Sequence, residues 1–277
     1  MTTTTEARYD LDAAQMWHLT AEFLATHPGT GDFVSVVVGP DEPLAAVGRA
    51  IERTVFEQAF GNDAAVMAAE YGRYEARSLF FVVLDRRRGV PAGVARVIAG
   101  GPRDMKTIVD APAIIGHSAD EIIAAHGLHQ GTVWEFATIA VLPEYRGGRA
   151  SLAVSSLIYR TFLLAGRRAG VRHVVAMLDR GGYRNLRLLG VRLIQMAGSE
   201  PFAYLGSAET RAVYSDFPGI EPSIAEQSVR LRRQSRLRAL RPTPRSLRRL
   251  LTRRFAAGIS HRVSSGHGLD ENIVLPA

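Results

Sequence analysis

Along the chain, apolar positions recur first at helical and then at alternating or continuous β spacing. Residues 10–26 place Leu11, Met16, Leu19, Phe23 and Leu24 at helical intervals. "DFVSVVV" (32–38) reads as a short strand. "AVGRAIERTVFEQAFG" (46–61) reads as a helix stopped by Gly61, with Val47, Ile51, Val55 and Phe56 on one face. "SLFFVVLD" and "PAGVARVIAG" flank the basic turn "RRRGV" and predict a hairpin. "SADEIIAAHG" has a serine cap and an acidic first turn, so a helix starts there. Then come the strand "GTVWEFATIAV", a long helix from Ala150–Ser151 with Val154, Leu157, Ile158 and Leu164 as its stripe, the strand "VRHVVAML", a short helix "YRNLRLLG" and a further strand "VRLIQMAG". Helices, an antiparallel hairpin and then strand–helix–strand predict an α/β or α+β fold with a mixed sheet flanked by helices. Residues 1–9 are expected to be disordered, 10–222 to form the folded domain, and 223–277 to form an arginine-rich tail, helical or partly disordered.

Charge sharpens that division. The formal net charge is +7, but twelve arginines lie between Arg230 and Arg262, and without them acidic residues outnumber basic ones. A mildly acidic body therefore carries a basic tail. Two tail segments are separated by "RPTP", which a helix does not cross. In the second, Leu247, Leu250, Leu251 and Phe255 alternate with arginines at helical spacing, a pattern suited to an anionic membrane surface or to an acidic acyl carrier protein. Nothing points to specific nucleic-acid recognition. The chain has no cysteine, which excludes disulfides and thiol catalysis. No apolar run approaches the roughly 18–20 residues that span a bilayer, and the first residues do not read as a signal peptide. A cytoplasmic protein, in place or peripheral at the membrane, is the expectation.

The stretch "VWEFATIAVLPEYRGGRAS" (133–151) carries the candidate chemistry. Glu135 interrupts an apolar strand, where a carboxylate either handles a proton or caps a neighbouring group. The strand ends at Pro143 in a turn of Arg146, Gly147, Gly148 and Arg149, followed by a helix start. Free N–H groups, glycines and arginines together suit phosphate, although such a turn also serves as a solvated connection. Arg96 inside an apolar strand needs an anion, either Glu135 or the carboxylate of a substrate. Trp134 reads as core or pocket wall. His126 and His129 stand three apart, with no further ligand near, so a metal site is not expected.

Those residues resemble the acyl-CoA-binding segment of GNAT-type N-acyltransferases: Val141, Pro143, Arg146 and Gly147 match in register. Gly148 and Ala150 match if the loop is one residue shorter, while in strict register Arg149 and Ser151 hold the small-residue positions. Asn185 is similar to the family's later asparagine; its usual tyrosine acid has no counterpart, since Leu188 and Leu189 stand there. More narrowly, "WEFATIAV" and Arg96 resemble the autoinducer (acyl-homoserine-lactone) synthases and the related long-chain N-acyl amino acid synthases, with Thr138 where the former have an arginine. The resemblance implies acyl transfer from acyl-CoA or acyl carrier protein to an amine, with no permanently bound cofactor. Glu135 would be the base, and the backbone around Ile139–Val141 would hold the oxyanion. Arg146, Gly147, Gly148, Arg149, Ala150, Ser151 and Asn185 would bind the donor, and Arg96 and Trp134 the acceptor. The alternative is a non-catalytic acyl- or CoA-binding, or membrane-associated, module on the same scaffold.

Overall fold

The computed structural model describes residues 6–237 and 244–276, excluding the side chains of 235–237 and 244–251. Its elements are α1 (Ala13–Thr26), β1 (Phe33–Val38), α2 (Pro43–Phe60), α3 (Ala64–Tyr71), β2 (Ser78–Asp85), β3 (Val90–Gly100), α4 (Lys106–Ile115), α5 (Ala119–Ala125) and β4 (Thr132–Val141). There follow α6 (Gly148–Arg168), β5 (Val171–Asp179), α7 (Arg180–Leu189), β6 (Ile194–Gln195), β7 (Phe202–Tyr204), β8 (Ser207–Asp216), α8 (Phe217–Leu237), α9 (Pro244–Ser265) and β9 (Ile273–Val274). The strands form one sheet in the order β6-β8-β5-β4-β3-β2-β1-β9, with β7 attached to β8. Pairing is antiparallel except at β4–β5 and β1–β9. The fold class expected from the sequence is therefore observed.

Local signals explain most boundaries. Gly61 ends α2 at φ 75°, a left-handed conformation that costs glycine little. Ser118 and Glu121 form a capping box that starts α5. Asp85 ends β2 by accepting the Arg87 and Arg88 N–H groups, which makes the hairpin turn. Neighbouring β4 residues reach opposite faces: Trp134 packs on Phe162 of α6, whereas Glu135 meets Thr107 of α4. One face of the sheet thus lies under α6, and the other under α2, α4 and α5.

Two terminal expectations are corrected. Residues 6–9 form a 3-10 turn, and Tyr9 is buried with its hydroxyl on Arg96 at 2.8 Å; residues 1–5 lie outside the description. At the other end, α8 runs through positions 222 and 223, so no domain boundary falls there. Ile224, Leu231, Ala256, Ala257, Ile259 and Val263 are buried in the main core. Arg160 of α6 ties this region down, reaching Glu221 at 2.8 Å, the Val263 carbonyl at 3.1 Å and Asp270 at 2.6 Å. Most of the apolar positions described on α9 thus face protein rather than lying free for a membrane, although Phe255 is exposed. Leu247, Leu250 and Leu251 lie outside the described side chains, as do 241–243 of the "RPTP" break. No helix among the described residues is long and apolar enough to cross a membrane. The strand expected over 191–198 shrinks to Ile194–Gln195, and α3, α4, β7 and β8 were not foreseen.

Candidate active site

β4 and β5 pair only from Thr132↔Val171 to Glu135↔Val175. Beyond that point β4 stays with β3 as far as Val141, and β5 stays with β8 as far as Asp179. The two central strands therefore part like a V. A bulge helps: Thr138 faces Arg96 and Phe136 faces Val97, so Ala137 is an extra residue that bends β4. In the gap lies a cleft of about 220 Å³, walled by Phe136 to Ile139 on one strand and Met177 to Asp179 on the other. Phe56, Phe60, Tyr71, Tyr204 and Leu205 close it from α2, α3 and the β7–β8 turn. The Leu142 N–H bonds the Ala92 carbonyl of β3 at 3.1 Å. Alternation along β4 then turns the N–H groups of Ile139 and Val141 away from β3, toward the open side of the V.

Two buried carboxylates stand near this cleft. Glu135 is 3% exposed, and both its oxygens are held by Thr107: the backbone N–H at 2.8 Å and the hydroxyl at 2.9 Å. Burial pushes its pKa up to about 7, against the pull of the Thr107 hydrogen bonds and the Lys106 charge. It is not itself on the cleft wall. Tyr71 is, and its hydroxyl is raised well above the ordinary tyrosine value, first by burial and then by Glu52, with Glu135 also contributing. Glu52, on α2, is fully buried and paired with Arg96 at 2.6 Å; Arg96 also reaches Glu75 at 3.2 Å. Glu75 in turn binds Arg49, which makes a network of two arginines and two glutamates. The Thr138 hydroxyl, on the cleft wall, hydrogen-bonds Glu52. Arg96 therefore pairs with Glu52 and Glu75 rather than with Glu135, and is shut away from any substrate carboxylate.

The turn after β4 has the form expected. Pro143–Tyr145 make a 3-10 turn, Gly147 caps α6, and Gly148 takes φ 56°. Ser151 N–H to the Gly147 carbonyl, 3.2 Å, is the first bond of the helix, so the N–H groups of Gly148, Arg149 and Ala150 have no helical acceptor. Arg146 bonds the Val141 carbonyl through Nε at 2.7 Å, which holds it against the strand end; Arg149 is exposed. Asn185 is exposed on α7, and only Gly182 of that helix reaches the cleft. Trp134 is core, edge-on to Phe81 and tilted on Phe162, not pocket wall. His126 accepts the Ala197 N–H and stacks on Tyr214, a structural role, and no metal-binding group of three occurs among the described residues.

Behind the cleft, on the α6 side, is an apolar cavity of about 60 Å³. Tyr159, Phe162, Ile224, Ile259 and Val263 help to line it, and it shares Phe136 and Leu178 with the cleft. Sequence reading missed Glu52, Tyr71, Thr107 and Tyr204. One signal pointed nearby: Lys106 is the sole lysine in the chain, and it is buried between Glu70, Asp110 and the Tyr204 hydroxyl.

No protein-family profile matches the sequence, and no curated protein does. Solved structures do match. FeeM, an N-acyl amino acid synthase from uncultured soil microbes, aligns with a TM-score of 0.51 at 16% identity, over 70% of this chain and 96% of that one. The chain shares the fold of this N-acyl amino acid synthase. A CoA-dependent acyl-homoserine lactone synthase, BjaI, solved with SAM and isopentyl-CoA, aligns over 69% of this chain and 89% of its own (TM-score 0.40, 13% identity). The NatC complex bound to Gag peptide and CoA aligns over 67% and 99% (TM-score 0.43, 11% identity). At these identities the likeness is one of fold.

Proposed function

We propose that the protein is an N-acyltransferase that moves an acyl group from a thioester, on CoA or on acyl carrier protein, to an amine held in the β4–β5 cleft. The observation that carries this reading is the V itself: free N–H groups on one arm, an anion-suited turn where that arm leaves the sheet, and a buried carboxylate with a near-neutral pKa beside its vertex. The donor's phosphates bind the N–H groups of Gly148, Arg149 and Ala150, with Arg146 and Arg149 adding charge. The thioester carbonyl lies against the Ile139 or Val141 N–H, which stabilises the oxyanion as the amine attacks. The new C–N bond forms, the C–S bond breaks and the thiol leaves with a proton. The amine's own proton passes to Glu135 through a bridging hydroxyl or water, because Glu135 stands behind the wall. A pKa near 7 suits a base that works at neutral pH. Longer acyl chains enter the apolar cavity past Phe136 and Leu178.

A second reading, binding without catalysis, draws support from the absence of Glu135 from the cleft wall. Thiol release decides between them. The protein is offered acetyl to palmitoyl donors, on CoA and on carrier protein, with a mixture of amines. Amine-dependent thiol release is the expected result. Donor binding without release would leave only the binding reading.

A further inference from the structure

The charges around the cleft bear on which amine it admits. Among the described residues the two buried cations nearest the wall, Arg96 and Lys106, are fully paired. Arg96 is shared between Glu52 and Glu75. All three N–H bonds of the Lys106 ammonium are taken, by Glu70, Asp110 and the Tyr204 hydroxyl. Arg53, on α2 before Phe56, and the exposed Arg180 make only long pairs, with Glu57 and Glu209 at 3.8 Å, and neither side chain lines the wall. Among the described residues the one charged side chain on the wall itself is Asp179, which caps the Gly182 N–H at 2.7 Å. The cluster behind Tyr204, one lysine and two carboxylates, is net negative.

The remaining polar group on β4 has its direction fixed. The Thr138 hydroxyl donates its proton to the Glu52 carboxylate. What Thr138 offers the cleft is a lone pair. The rest of the surface is mostly aromatic or aliphatic, with Phe56, Phe60, Tyr71, Met177, Tyr204 and Leu205, and its other hydroxyls, on Ser207 and Thr210, carry no charge. The roof is fixed as well. Leu205 and Gly206 turn with φ 44° and 80°, Asn62 binds the Leu205 carbonyl at 3.2 Å, and a Cβ on Gly206 would stand 2.6 Å from the Phe60 carbonyl.

We infer that the acceptor is an apolar, aromatic-bodied primary amine that carries no carboxylate. This rests on the acyltransferase reading above and adds the acceptor class to it. An amine N–H finds Thr138 as its acceptor, and the ring finds the aromatic walls. A carboxylate on the same molecule finds no cation among the residues that line the wall and meets Asp179 and the negative cluster, so it enters at a large energetic cost.

The test uses pairs that differ only in that group: tyramine against tyrosine and phenethylamine against phenylalanine, with the full chain and octanoyl-CoA. Thiol release and product mass are read. The amines are expected to exceed their amino acids in kcat/KM by about 100-fold or more, since an unmatched buried charge is rejected at least that strongly. Met177→Lys, which adds a cation to the wall, should narrow the ratio. Equal or faster use of the amino acids by the unmodified chain overturns the inference and leaves the acyltransferase reading intact. If neither member of a pair releases thiol, calorimetric titration decides. Tyramine binding with tyrosine excluded upholds the acceptor class while the transfer reading falls, and binding of neither overturns both.

Discussion

Glu52 and Glu135 are two buried glutamates on the same side of one sheet, and they differ in what holds them. Glu52 lies against a fully buried arginine and a threonine hydroxyl, in a network whose formal charges cancel. Glu135 is held by an amide and a hydroxyl of Thr107 and forms no ion pair among the described residues. Burial costs both carboxylates their hydration. For Glu52 the paired arginine offsets that cost. For Glu135 the neutral partners offset only part of it, so the proton returns near pH 7. Burial alone therefore does not mark a catalytic group; burial without a counter-ion does so better.

The largest effect that can break this contrast is at Arg96. Arg96→Met leaves Glu52 without its counter-charge, while Glu75 keeps Arg49, and breaking a buried pair costs about 3–5 kcal/mol. At about 2–4 °C per kcal/mol for a chain of this size, thermal denaturation should show a Tm drop near 10 °C. A Tm within a degree of the parent would mean that the network does not hold the fold. Next, Glu135→Gln should lower turnover by about 10²–10⁴-fold while donor binding stays near normal. Unchanged turnover at neutral pH removes Glu135 from the mechanism.

Third, the raised pKa has a sign that stability must obey. Glu135 keeps its proton more tightly when folded, so its contribution is whole below the ordinary value near 4.5 and is lost as pH rises through about 7. A shift of that size corresponds to about 3 kcal/mol at most. Relative to Glu135→Gln, the parent should therefore lose stability between pH 5 and pH 8 in denaturant titrations. In the active protein, kcat/KM should climb over the same range, since the base must be ionised. Thr107→Val, which removes one hydrogen bond to the carboxylate, should move that limb upward by about one pH unit. The smallest effect expected is at Arg146→Ala, a rise of about tenfold in the donor KM with kcat little changed, because phosphate binding is shared by ground and transition states.

Legibility from sequence follows the range of the interaction. A carboxylate in "VWEFATIAV" is visible because its neighbours are apolar, and Gly61 and Ser118 announce helix ends within a few residues. The turn at 146–149 is local as well. Thr138 stood out only as a missing arginine, because its meaning depends on Glu52, which lies far back in the chain. Tyr71 and Tyr204 reach the cleft from α3 and β7, two elements without strong local signals. α4 hides behind an internal proline, Pro112, and β8 reads as polar because it alternates between exposed and buried positions. The basic segment misleads for the opposite reason: its arginines are conspicuous, while small residues such as Ala256 and Ala257 do the docking.

β9 has one more consequence, in time rather than in space. Ser35 and Val36 of β1 align with Ile273 and Val274, so nearly the whole chain separates the two partners. Closing so long a loop is slow compared with forming the β2–β3 hairpin. During folding, β1 therefore waits with one side unpaired, a run of valines open to any strand that meets it. The interval before β9 arrives is when two half-folded copies are most prone to join edge to edge. Dilution should then raise the refolding yield far more than it changes the stability of the finished protein.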